Sequence, residues 1–495
     1  MNFTATDRIE SAYAEAEARY VATNPTSRKA HETATASLPG GNTRSVLHWE
    51  PYPLCISSAE GYTLRDADGH DYVDLLGEYS AGLYGHSHPA LLAAIAETAR
   101  RGLSYGGPHA AEARLAGLIR ARFRSVERVR FTNSGTEANL MALAAAKAFT
   151  GRHRGRVVVF DGAYHGGVLV FPYGCARVFN CPGATTTSTR GPYEALRALN
   201  APHDFLVATY NDIDSFDALV ASASTSTSTS AEANGNGDGI AAILIEPMLG
   251  SGGGVRATPE FLAHLRRRAD ELGALLIFDE VMTSRMHDGG GIQGALGLEP
   301  GLRPDLTTLG KYLGGGMSFG AFGGRAEVMA LFDPRVPGAL PHAGTFNNNV
   351  LTMNVGAAGL EGVFTAETAR ALHALGDEVR GRINGLSLAA DNDDAAPKKK
   401  KRGLRVLGCG SILVFHFTRA RVGDIASPAD FKGDEVPRLL DLFHLEMLRE
   451  GFYLARRGYV ALSIPLLEPE GRRELDRFVD AVGRFLGRFR ELIEG

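Results

Sequence analysis

A chain of 495 residues exceeds one ordinary domain, so two or more packed units are expected, with a core large enough to need no staples. A formal net charge of -4, with 22% charged and 44% hydrophobic residues, excludes a general nucleic-acid binder, which would be strongly basic. No run approaches the ~18 apolar residues of a membrane span, and the polar start MNFTATDRIESAYAEAEARY has no apolar core of a secretion signal. Cys55, Cys175, Cys181 and Cys409 lack the paired spacing of a structural metal site and read as reduced thiols of a cytoplasmic protein.

The first thirty or so residues predict a helix leading into the glycine-rich turn of SLPGGNTRSV. GYTLRDADGHDYVDLL follows as two short strands around Asp68-Gly69, a hairpin. Residues 89 to 123 carry apolar positions at helical spacing, broken by SYGGP. The middle of the chain then alternates. Strand-like RVRFT (128–132) precedes the helix TEANLMALAAAKAF, and RVVVF (156–160) and DFLVATY (204–210) are further strands. IAAILI (240–245) precedes a helix from about Pro259 to Leu272, with Gly273 as its stop, and ALLIF (274–278) and DLTTL (305–309) complete the series.

Short apolar strands separated by helices predict a mainly parallel sheet covered on both faces, with ligands at the carboxyl ends of the strands. From about 355 longer helices take over, with a strand pair in RVLGCGSILVFHF. The expected organisation is an N-terminal segment 1–85, a large domain 86–350, and a C-terminal small domain 351–495 that the N-terminal segment joins. Two stretches read as insertions: the low-complexity SASTSTSTSAEANGNGDG (222–239), expected to be disordered, and the charge run DNDDAAPKKKKRG (391–403). PKKKKR could be an import signal, but its acidic neighbours favour a solvated loop.

The chemically suggestive residues fall at strand ends. NSGTEAN (133–139) opens a helix with hydroxyls and backbone N–H groups, a ready phosphate site, although any strand-to-helix turn can read Ser-Gly-Thr as a cap. FDGAYHGG offers Tyr164 and His165, which alone would be read as packing. LLIFDEVMTSR puts Asp279 after an apolar strand, where a carboxylate is costly unless it faces a cation. TTLGKYLGGGMSFGAFGG puts Lys311 in an apolar, glycine-rich turn, unlike a solvated surface lysine.

These four features in this order resemble the class III aminotransferases, fold-type I pyridoxal-phosphate enzymes, over about residues 35 to 490 outside the insertions. The resemblance implies an α/β fold with a large mainly parallel-sheet domain and a smaller α/β domain. It implies that Lys311 holds pyridoxal 5′-phosphate as a Schiff base and shuttles the proton, and that Asp279 pairs with the pyridine nitrogen. Ser134, Gly135 and Thr136 would bind the phosphate, joined across a homodimer interface by Thr345 of GTFNNN. Tyr164 would stack on the ring, Val281 would pack on its other face, and Glu246 would line the site.

Two groups within the family are most alike. Glutamate-1-semialdehyde aminomutase shares PDLTTLGK-GGGM-GAFGG, and aminotransferases of β-amino acids share PGGNTRSVL, GEY-AGLYGH and HAGTFNNN. The second set implies transfer from a β-amino acid such as β-phenylalanine to a 2-oxo acid such as 2-oxoglutarate or pyruvate, with the intramolecular aminomutase as the alternative. Arg44 is the expected carboxylate anchor, since a guanidinium recognises a carboxylate with two prongs. Arg456 and Arg457 offer a second anchor, or else a surface charge pair. Trp49 and its neighbours could line an apolar pocket or simply pack in the core. Ser284-Arg285 departs from the Gly-Phe of many relatives.

Overall fold

The computed structural model describes residues 4–169, 171, 200–226, 239–296, 302–388 and 401–494. They fall into two compact units, one built from the chain up to His88 and from Ala371 onward, the other from the chain between Pro89 and Arg370. Among the described residues no helix is long and apolar enough to cross a membrane.

The chain begins with two helices rather than one, α1 (Ala5–Thr23) and α2 (Pro25–Thr35). Pro25 lacks the N–H to continue α1 but suits the first turn of a new helix, so the break falls at Asn24. The strands β1 (Ile56–Glu60), β2 (Thr63–Asp66) and β3 (Asp71–Asp74) follow, all antiparallel, with the expected hairpin joining β2 and β3.

In the second unit, α3 (Pro89–Arg101) and α4 (Ala110–Arg122) flank the SYGGP break. Then β4 (Arg128–Thr132), α5 (Gly135–Phe149), β5 (Arg156–Phe160), β6 (Phe205–Ala208) and α6 (Ile213–Ser226) alternate. They are followed by β7 (Ile240–Ile245), α7 (Pro259–Leu272), β8 (Leu275–Asp279), β9 (Leu306–Gly310), β10 (Gly320–Gly324) and α8 (Val350–Gly362). Gly273 closes α7 in the left-handed region at φ 58. The sheet runs in the order β4-β10-β9-β8-β7-β5-β6, parallel except for β10. Strands β7, β8 and β9 are buried along their whole length, as their unbroken apolar runs require of a sheet covered on both faces.

The helix α9 (Ala366–Leu388) leads to β11 (Gly403–Cys409) and β12 (Ile412–Thr418), an antiparallel pair that β14 (Tyr459–Ala461) extends. Between them lie α10 (Pro437–Arg449) and β13 (Phe452–Tyr453), which joins β3 in parallel, and α11 (Pro469–Arg488) follows.

Three expectations are corrected. The stretch 222–239 is not wholly a loop, because α6 continues to Ser226, carried by buried Phe216, Val220 and Ala223 on its inner face. The charge run ends sooner than 403, since Lys401 pairs with Glu494 at 2.8 Å and Gly403 already opens β11. GAFGG, taken as part of a glycine-rich turn, is the antiparallel strand β10. The rest of both insertions, with Cys175 and Cys181, lies outside the described residues.

Candidate active site

Strands β4, β5, β7, β8 and β9 all run the same way, so their carboxyl ends share one edge of the sheet. Each end delivers a candidate: Ser134 after β4, Tyr164 and His165 after β5, Glu246 after β7, Asp279 closing β8, and Lys311 after β9.

At the first of these ends Ser134 caps α5 from an extended backbone, its hydroxyl accepting from Glu137 N at 3.2 Å. The Thr136 hydroxyl accepts from Gly167 N at 3.1 Å. The turn is packed so closely that a Cβ on Gly135 would meet Val281 Cγ1 at 2.8 Å, which places Val281 directly beneath the helix opening. The free amides and positive end of α5 there suit an anion.

Asp279 is buried and held by three donors. Its Oδ2 accepts from Asn139 Nδ2 and faces His165 Nδ1, both at 2.8 Å, while its Oδ1 accepts from Val281 N at 2.9 Å. Asn139 is fixed in turn, donating to His165 O at 3.0 Å and accepting from Thr308 Oγ1 at 2.8 Å. No lysine or arginine pairs with Asp279 among the described residues. Beside it, both oxygens of buried Glu246 accept backbone N–H groups, from Tyr164 at 2.8 Å and Gly250 at 3.0 Å. Burial pushes the Glu246 carboxyl up to about 7; neighbouring His165 opposes the rise and Asp279 adds to it. Lys311 opens a single helical turn directly after β9 with φ 59, a left-handed conformation that a side-chain-bearing residue adopts only under constraint.

The three arginines lie in the other unit. Arg44 forms an ion pair with Glu78, and its guanidinium lies 5.8 Å from the Tyr79 ring centre. Arg457 lies 5.2 Å from the same ring and 5.5 Å from that of Tyr459, which stacks on Tyr79 at 5.6 Å. Arg456 turns away to pair with Asp441 at 3.0 Å. Trp49 is core, 4% exposed, packed against Tyr20 at 5.0 Å and edge-on to His444 at 4.7 Å. Thr345 sits on an exposed turn and, among the described residues, its side chain makes no hydrogen bond to the Ser134 loop.

A family model described as aminotransferase class-III matches residues 46–414. The chain is 44% identical to a β-phenylalanine transaminase of Variovorax paradoxus over 97% of its own length and 96% of the relative's. A solved β-phenylalanine aminotransferase from that species superposes with a TM-score of 0.83 at 43% identity, covering 98% of this chain and 99% of the other. A glutamate-1-semialdehyde 2,1-aminomutase of Roseiflexus castenholzii is 36% identical over 88% of this chain and 91% of the relative. The chain belongs to the class-III aminotransferase family.

As a member of that family it is a transaminase dependent on pyridoxal phosphate. Its residues fit that group on their own geometry. A helix N-terminus with hydroxyls suits the phosphate, and a lysine stands on a constrained turn at the same sheet edge. Among the described residues the buried Asp279 carboxylate pairs with no lysine or arginine, so it can serve a cationic nitrogen. The site also brings in residues that the sequence motifs contain but that carried no expected role. His165 and Asn139 orient Asp279, and Thr308 orients Asn139. Asn139 could have been found in sequence as a lone polar residue four places after Gly135, on the face of α5 that otherwise buries Ala142, Leu143 and Ala146.

Proposed function

We propose that this transaminase takes its amino group from a β-amino acid such as β-phenylalanine and passes it to a 2-oxo acid such as 2-oxoglutarate or pyruvate. The observation that carries the reading is the pair Arg44 and Arg457, two guanidiniums against the one Tyr79 ring. A transaminase must bind a donor and an acceptor whose carboxylates stand at different distances from the reacting carbon, and two anchors allow it. The likeness to β-phenylalanine transaminase supports the same choice. Arg456, engaged by Asp441, is the weaker candidate of the adjacent pair.

In this reading Ser134, Gly135 and Thr136 hold the cofactor phosphate, Tyr164 and Val281 lie against the two ring faces, and Asp279 keeps the ring nitrogen protonated. Bound pyridoxal phosphate supplies an electron sink for the carbon that bears the amine. Lys311 would hold the cofactor at rest and, once freed by the substrate amine, would move the proton from the donor's amine-bearing carbon to the cofactor, then in the second half-reaction from the cofactor to the acceptor carbon. Glu246 holds the Tyr164 backbone in place. The working form is proposed to be a homodimer in which Thr345 reaches the partner's phosphate site.

The test follows each half-reaction separately by cofactor absorbance. β-Phenylalanine should convert the enzyme to its aminated form and release the matching oxo acid, and 2-oxoglutarate or pyruvate should reverse the change. Lys311→Ala should bind cofactor yet lose turnover to the detection limit. Conversion of a substrate to its isomer without any acceptor would replace this reading with the aminomutase.

A further inference from the structure

Arg44 already holds a carboxylate. Its partner is Glu78, and no other side chain accepts a hydrogen bond from Arg44 among the described residues. The pair is roughly half exposed on both sides, at 44% and 52%, so solvent and salt can replace either partner at little cost. The backbone that presents Glu78 is unusual. Gly77, Glu78, Tyr79 and Ser80 are all left-handed, with φ 52, 46, 51 and 77, and three of the four bear side chains.

That conformation is imposed from outside the turn. Asp74 Oδ1 accepts from Leu76 N at 2.9 Å and Gly77 N at 3.0 Å, while its Oδ2 faces His86 Nε2 at 3.0 Å. A Cβ on Gly77 would come within 2.4 Å of the Ala461 carbonyl, so the turn is wedged against the end of β14. The turn aims Glu78 at Arg44 and Tyr79 between Arg44 and Arg457. Glu78 also lines a cavity of about 460 Å³, together with Asn42, Leu47, His86 and Tyr453. A carboxylate displaced from Arg44 therefore has open space beside it to occupy.

The geometry points to Glu78 as a built-in substitute for the substrate carboxylate, a specificity-determining residue that neutralises Arg44 until a carboxylate-bearing substrate displaces it. This deepens the proposed function and rests on Arg44 being a substrate anchor. Two consequences follow from competition for one guanidinium. Glu78 weakens the binding of every substrate whose carboxylate uses Arg44, and it makes the site tolerable to an amine that brings no carboxylate, because Arg44 then keeps a counter-charge.

The test compares KM and kcat for β-phenylalanine and for its decarboxylated counterpart 1-phenylethylamine in wild type, Glu78→Gln, Glu78→Asn and Arg44→Met holoenzymes. Asparagine adopts the left-handed region readily, so the second Glu78 variant guards against loss of the turn. Both Glu78 variants should lower KM for β-phenylalanine by about two- to fivefold, the range expected when an exposed ion-pair competitor is removed. They should raise KM for 1-phenylethylamine and leave kcat for β-phenylalanine near wild type. Arg44→Met should raise KM for β-phenylalanine at least about tenfold and abolish its sensitivity to Glu78.

If Arg44→Met weakens β-phenylalanine while the Glu78 variants leave both KM values unchanged, the substitute role is overturned and the Arg44 anchor stands. An equal loss of kcat/KM for both substrates with a lowered Tm would show a merely structural ion pair. An Arg44→Met enzyme with unchanged KM would overturn the anchor, and the inference with it.

Discussion

Asp279 acts through what holds it. The carboxylate is fixed by Asn139, His165 and a backbone amide, so it is pointed before any cofactor arrives. Removing one donor from a buried charged acceptor costs about 1–3 kcal/mol. Asn139→Ala should therefore reduce kcat/KM roughly tenfold or more with the fold intact, and weaken protonation of the cofactor's ring nitrogen, which absorbance against pH reads out. Glu246 makes a prediction of a different kind. Its folded value near 7 stands above the ordinary 4.5, so the folded protein prefers the protonated form. The sign follows: this contribution to stability is complete below about pH 4.5 and is lost as pH rises through 7. A shift of that size corresponds to about 3 kcal/mol over the window. In cofactor-free protein, unfolding free energy should fall between pH 5 and 7.5, and Glu246→Gln should flatten that slope. At pH 5 the variant should be the less stable, because glutamine can accept only one of the two amides. An identical slope in both proteins would assign the pH dependence elsewhere.

At the scale of elements, most of the sheet could be read from the chain because burial on both faces writes itself as unbroken apolar runs. LLIF of β8 and IAAILI of β7 are unambiguous for that reason. β10 could not be read so. GAFGG has no branched residue to favour a strand and looks like a turn. It is a strand because its neighbours approach too closely for side chains. A Cβ on Gly320 would lie 2.1 Å from the Ser134 carbonyl, and one on Gly324 would lie 2.0 Å from that of Asp305. The glycines therefore serve the sheet and hold the Ser134 turn at the phosphate end. Gly324→Ala should destabilise by about 1–3 kcal/mol as an overpacked site, seen as a lowered Tm. Unchanged stability would mean that β10 yields easily. The candidate site shows the same division. Lys311, Asp279 and Ser134 stand out because polar residues at the ends of apolar strands need a reason. Glu78 and Asn139 do not stand out, because their roles depend on contacts with residues distant in sequence and on a backbone conformation that no composition signals.

The whole molecule raises the question of what completes the phosphate site. Ser134 and Thr136 accept backbone amides of their own chain and each keeps one O–H to donate to a phosphate, so donors for its remaining oxygens would come from elsewhere. Thr345 is exposed on a turn beside Phe346, a phenylalanine 60% exposed, and nearby in sequence Val336 is 50% exposed. In the proposed homodimer each site would take Lys311 from one chain and Thr345 from the other. Thr345→Glu would place a negative charge against the phosphate and should release the cofactor, whereas Lys311→Ala should keep it but not turn over. Homodimers of either variant should be inactive. Mixed dimers of the two should regain one intact site, formed by Lys311 of the Thr345→Glu chain and Thr345 of the Lys311→Ala chain. About half the wild-type activity per mixed dimer is therefore expected when differently tagged chains are co-expressed and purified through both tags. Sedimentation should give twice the 52.7 kDa chain mass for the same sample. A mixed dimer that forms but stays inactive would place Thr345 in its own chain's site, and a purely monomeric active enzyme would remove the shared site altogether.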